Sequence, residues 1–148
     1  MSEYFGDFYD AIQIDIKDWL ETPDALENKW RMYIEKAPDL FLLICKLTME
    51  EELPMLEKAR LSAALAYFVA PDDLIPEETE GIRGYLDDIV LTGLVLNGIR
   101  KNTGAEIIRK HWSLEKDVVE LVNEIVDSGP RMVGQEIYNS LEQMSRPT

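Results

Sequence analysis

Residues 64–99 read ALAYFVAPDDLIPEETEGIRGYLDDIVLTGLVLNGI. An apolar stretch runs into a turn rich in proline and carboxylates, and a second apolar stretch leaves it. In the second, Leu86, Ile89, Val90, Leu91, Leu94, Val95, Leu96 and Ile99 cover most of a helix circumference. A helix apolar on nearly every side belongs in a core. The spacing predicts a central helix over about 84–101, paired with another over about 54–69. The partner carries Ala59, Ala63, Ala64 and Ala66 beside Leu56, Leu61, Leu65 and Phe68. Its small residues are expected to let a neighbouring backbone come close. Asn97 is expected to be a satisfied core amide, because buried polar groups are bonded.

In the turn, Pro71 and Pro76 fix φ and keep the residues before them out of helix. Leu74 and Ile75 are expected to be pinned into the core between them, and Gly81 and Gly84 to supply backbone freedom. Residues 71–90 hold seven acids and one base, Arg83. Two readings follow. In the structural one, Asp73 accepts backbone N–H bonds inside the turn. One of Asp87 and Asp88 then caps the helix or pairs with Arg60, Arg83 or Arg100, and the other faces water. In the metal reading, Asp73 joins Asp87 or Asp88 as hard oxygen ligands for a divalent cation. Adjacent helical residues point about 100° apart, so Asp87 and Asp88 do not both face one ion. That geometry favours the structural reading.

Pro71, Asp73-Leu74-Ile75-Pro76, Glu77, Gly81, Gly84-Tyr85 and Asp87-Asp88, preceded by Ala66-Tyr67, resemble the YkvA-like domain of unknown function family (DUF1232). The resemblance covers about residues 61–99. It implies a small helical domain and no activity that transfers to this chain. The family often carries a further proline late in the turn, where Thr79-Glu80-Gly81 stands here.

Outward from this centre, Phe5, Phe8, Ile12, Ile16, Trp19 and Leu20 form one face of an N-terminal helix. Thr22-Pro23 opens a helix through Leu26, Trp30 and Ile34, and Leu40–Leu47 reads as a core helix. Thr103 and Glu106 have capping-box spacing, with a short helix to His111 and Trp112, and Ser113 caps the next. That helix carries Leu114, Val118, Leu121, Val122 and Ile125. Ser128-Gly-Pro resets the chain before a last helix through Val133, Ile137, Leu141 and Met144. The expectation is an all-α fold. A single compact bundle of seven or eight helices, one domain over 1–148, surrounds the central apolar pair.

The chain has 29 acids against 15 bases, a net charge of −14, spread along its length. No basic stripe exists to neutralise phosphates, which argues against nucleic acid, and an anionic membrane surface would repel it. The longest uncharged runs, Leu61–Pro71 and Ile89–Ile99, fall short of the ~20 residues that span a bilayer. Residues 1–20 lack the basic start of a secretory signal. The single cysteine, Cys45, sits in an apolar run and reads as a buried, inert thiol. The expected setting is cytoplasmic. His111 is the only histidine and has no serine or cysteine pattern near it, and no phosphate loop or HExxH is present. The reading is therefore a non-enzymatic interaction or regulatory module with a structural acidic turn. It has no cofactor and no catalytic residue, and it binds a protein partner or itself. Tyr4, Phe5, Phe8, Trp19, Trp30 and Trp112 are candidates for an interface, although burial in the chain's own core is the simpler fate of each. The alternative is a divalent-metal-binding protein or metal-dependent hydrolase using Asp73, Asp87 and Asp88.

Overall fold

The computed structural model describes residues 3–69 and 84–146, with side chains from residue 6 and again from residue 85. Among these residues nine helices and no strand are found. They are α1 (Glu3–Leu20), α2 (Pro23–Glu27), α3 (Arg31–Ile34), α4 (Ala37–Thr48), α5 (Met55–Val69), α6 (Gly84–Asn102), α7 (Glu106–Arg109), α8 (Val118–Val133) and α9 (Gln135–Ser145). Pro71, Asp73, Leu74, Ile75, Pro76 and Gly81, with Arg83, lie outside the described residues; Gly84 opens α6.

The expected central helix is central. Leu86, Ile89, Val90, Leu91, Leu94, Val95, Leu96 and Ile99 are all buried, and α6 packs against α8, α9, α5 and α4. On α1, Ile12 and Ile16 are buried and Phe8, Trp19 and Leu20 pack on the core, so the predicted face is the real one. Phe8 meets Phe41 of α4 at 5.1 Å between ring centres, and Phe41 meets Phe68 of α5 edge-on at 5.3 Å. These three rings join α1, α4 and α5, the first pair tilted and the second in the edge-on arrangement that aromatic quadrupoles prefer.

Among the described residues the helices number nine against the expected seven or eight, because side chains interrupt the periodic pattern. The stretch from Pro23 to Ile34 breaks at Asn28, whose Oδ1 accepts the Trp30 N–H at 2.8 Å and so competes with the helical ladder. The Thr103–Glu106 capping box is not made. Instead Thr103 and Gly104 donate back to Ile99 and Arg100 to close α6, with Gly104 at φ +112°. Ser113 caps nothing: α8 starts at Asp117, whose carboxylate is held by the Arg109 guanidinium at 2.9 and 3.1 Å. The reset expected at Ser128-Gly-Pro falls later, at Gly134 with φ +91°. Helix α8 runs through Pro130, because Ser128, Gly129, Met132 and Val133 are all buried by continuing it.

The alanines of α5 do not mediate close packing, since Ala59, Ala63 and Ala66 face outward and only Ala64 is buried. Glycines take that role. A Cβ on Gly93 of α6 would lie 2.6 Å from Ile125 Cγ2 of α8, and one on Gly129 of α8 would lie 2.6 Å from the Tyr138 ring of α9. Ile125 is β-branched and fully buried, so it has no rotamer into which to retreat. Gly93→Ala is accordingly expected to lower stability by about 1–3 kcal/mol in urea unfolding. Gly6→Ala, on α1 with open space around it, should raise stability by about 1 kcal/mol.

Candidate functional site

The acidic start of α6 is the first place to look for chemistry. Asp87 and Asp88 are 0% and 1% exposed, so neither faces water as one of them was expected to. Helix α6 is covered on nearly all sides, and the two directions available to adjacent residues both lead into protein. The Asp87 carboxylate is engaged at each oxygen. Its Oδ2 accepts the Tyr67 hydroxyl of α5 at 2.9 Å, and its Oδ1 accepts the Asp88 backbone N–H at 3.0 Å. The carboxylate lies in the first turn of α6, where the helix dipole favours negative charge. The Tyr67 bond is a buried strut between the two central helices. Of the arginines expected as partners, Arg60 and Arg100 are used elsewhere. Arg60 bonds Glu57 and Ser145, and Arg100 Nη2 donates to Asn97 Oδ1 at 2.8 Å.

Asp73, the third candidate metal ligand, lies outside the described residues. Among the described residues no group of three or more His, Cys, Asp or Glu is placed to hold a metal ion. Cys45 is 2% exposed, and burial pushes its thiol up to about 11, which keeps it protonated and unreactive at neutral pH. Asn97 is half-buried at the edge of a cleft rather than in the core. The aromatic side chains Phe8, Trp19, Trp30 and Trp112 pack on the chain's own core, and the Trp112 ring N–H donates to the Lys116 carbonyl at 2.8 Å.

Two polar clusters went unread in the sequence. In the first, Glu50 Oε1, in the turn between α4 and α5, accepts Lys110 Nζ at 2.7 Å and lies 3.0 Å from His111 Nε2. These bonds, Lys110 first, hold the Glu50 carboxyl down at about 2. His111 is thereby placed in a structural contact that ties the α4–α5 turn to the chain after α7. In the second cluster, Glu57 and Arg60 of α5 are 3% and 9% exposed and bond one another at 3.3 Å. Asn102 of α6 donates to Glu57 at 3.2 Å, and Arg60 Nε donates to the Ser145 carbonyl at 2.7 Å, the C-terminal end of α9. The signal for this pair was present: positions 57, 60, 61, 64 and 68 share one helical face with Leu61 and Phe68.

The site is thus a helical pair locked by buried polar bonds. The sequence model of a family described as "Protein of unknown function (DUF1232)" matches residues 57–94, which agrees with the resemblance read from the sequence. An "Uncharacterized protein ORF9" from Methanothermobacter thermautotrophicus is 25% identical over 101 residues, 68% of this chain and 69% of that one. No solved structure matches.

Tyr67→Phe strips one hydrogen bond from a fully buried carboxylate and should cost about 1–3 kcal/mol in chemical denaturation. Glu50 makes a second, pH-dependent prediction. Its carboxyl titrates lower in the fold than its ordinary 4.5, so its contribution is present above pH 4.5 and is lost as pH falls towards 2. Stability plotted over that window should fall less steeply in Glu50→Gln than in the parent.

Proposed function

We propose that the chain is a non-enzymatic helical module, one domain over residues 1–148, that binds a protein partner or a second copy of itself through the outward face of α5. One observation carries this reading. Helix α5 turns its charged pair Glu57 and Arg60 inward beside Leu61, Ala64, Leu65 and Phe68, while Met55 (79% exposed), Leu56 (53%), Ala59, Ser62, Ala63 and Ala66 point outward. These positions recur at helical steps of three and four, so they form one neutral stripe. A surface helix ordinarily turns its charges outward, and an exposed apolar stripe on a chain with 30% charged residues is the usual mark of a docking face. Small residues there would let a partner helix come close.

The burial of Asp87 and Asp88 supports the non-enzymatic part. A carboxylate closed off at 0% exposure and bonded at both oxygens is already committed to the fold. A cytoplasmic setting accompanies the reading, supported by the single buried thiol. No helix among the described residues is long and apolar enough to cross a membrane.

Light scattering at micromolar concentration should give a mass above 17.0 kDa that returns to 17.0 kDa in Ala63→Glu. If the parent is a monomer, a photo-crosslinking residue at position 63 should capture a partner in cells, and one at exposed Glu115 should not. A monomer that captures nothing from position 63 removes the proposal. Asp87→Asn tests the structural role of the acid, because the amide loses the charge that strengthens both of its bonds. The expected loss is about 1–3 kcal/mol, and an unchanged melting temperature would restore the metal reading.

A further inference from the structure

The strongest unexplained feature is a cleft of about 370 Å³ between α6 and α9. Three cations, Arg60, Lys101 and Arg146, line it against one carboxylate, Glu142. That balance runs opposite to the chain, which carries nearly two acids for each base. Asn97 and Gly98 of α6 complete the wall beside Arg60 and Lys101.

The Arg60 side chain is only 9% exposed, and its guanidinium is aimed by two bonds, Nε to the Ser145 carbonyl and Nη1 to Glu57. Its third nitrogen, Nη2, donates to no described residue and lies against Gly98, where an added Cβ would sit 2.5 Å from it. The missing side chain at Gly98 is what gives the guanidinium this place in the cleft wall. Lys101 stands one turn beyond Asn97 on the same helix and is exposed. We infer that this cleft binds a small oxyanion, a carboxylate or a phosphate, through the open edge of Arg60 and the ammonium of Lys101.

The physics favours the local charges over the global one. At physiological salt the Debye length is about 8 Å, so most of the −14 is screened from a ligand seated in the cleft. The guanidinium is pre-aimed and largely desolvated, so an arriving oxyanion gains a charge-assisted bond without ordering a long side chain. Arg146 is offset by its ion pair with Glu142 and Arg60 by its pair with Glu57, so Lys101 brings the uncompensated charge and Arg60 an aimed N–H donor. This inference rests on the inward face of α5 and stands apart from the docking stripe on its outward face.

The test is an amide shift titration of the full chain at constant ionic strength, with inorganic phosphate in one arm and succinate in the other. Sodium chloride is the control. The expected result is saturable shifts at Gly98, Lys101 and Asn102 in the millimolar range, with the responding arm naming the phosphate or the carboxylate. Lys101→Ala, an exposed change that leaves the fold intact, should weaken binding about tenfold. Glu142→Gln should strengthen it. Shifts that match the chloride control in both arms, or that persist unchanged in Lys101→Ala, overturn the inference.

Discussion

Helix α6 has almost no side that meets water, and the rest of the fold answers that constraint. A helix about 10 Å across with apolar residues all round needs neighbours on every flank, and α4, α5, α8 and α9 supply them. Close approach is set by glycine. Gly93 admits Ile125, Gly98 admits the Arg60 guanidinium, and Gly129 admits the Tyr138 ring. The same enclosure swallows two carboxylates at the start of α6. A buried acid without partners costs several kcal/mol, so the Tyr67–Asp87 bond both satisfies the acid and fixes how α5 lies along α6.

Helix α5 solves the opposite problem. It hides charge and shows neutral surface, and the hidden charge is closed into a network with Asn102 and the last carbonyl of α9. A buried ion pair is not strongly stabilising on its own account. Its effect here is positional. The cation sits at the negative end of the α9 dipole, so α9 is held where it ends rather than along its whole length. Removing either partner would leave the other charge stranded, so the pair is costly to break even if cheap to have done without.

The sequence made α6 legible because apolar residues at every angle admit one interpretation. It made the α1 face and the inert Cys45 legible for similar reasons: periodicity and burial point the same way. It misled at α5 because small residues were taken to mark a packed side, whereas Ala59, Ala63 and Ala66 face outward. Glu57 and Arg60 are three apart and share a face with Leu61 and Phe68, so their pairing inside was readable only by trusting the apolar stripe over the charges. Breaks were missed where a side chain outcompeted the helix, as at Asn28. A false break was read where packing outcompeted local preference, as at Pro130. The expectation that one of the acids at 87 and 88 faces water failed for one reason: a 100° turn separates them, but both directions lead into protein.

The family segment, 57–94, holds α5 from Glu57 and α6 only as far as Leu94. Among the described residues, α5 by itself covers only one flank of α6. The remaining cover comes from α4, α8 and α9, and two partners of the segment's buried charges, Asn102 and Ser145, lie beyond its end. The acid strut is internal to the segment, whereas Arg60 is completed only when α9 docks. The matched segment is therefore a frame, and its match to the family model speaks to how α5 and α6 pair. What the chain offers to other molecules arises where that frame meets its surroundings. One such place is the exposed face of α5, which no other described helix covers, and the other is the cleft that α9 closes over Arg60.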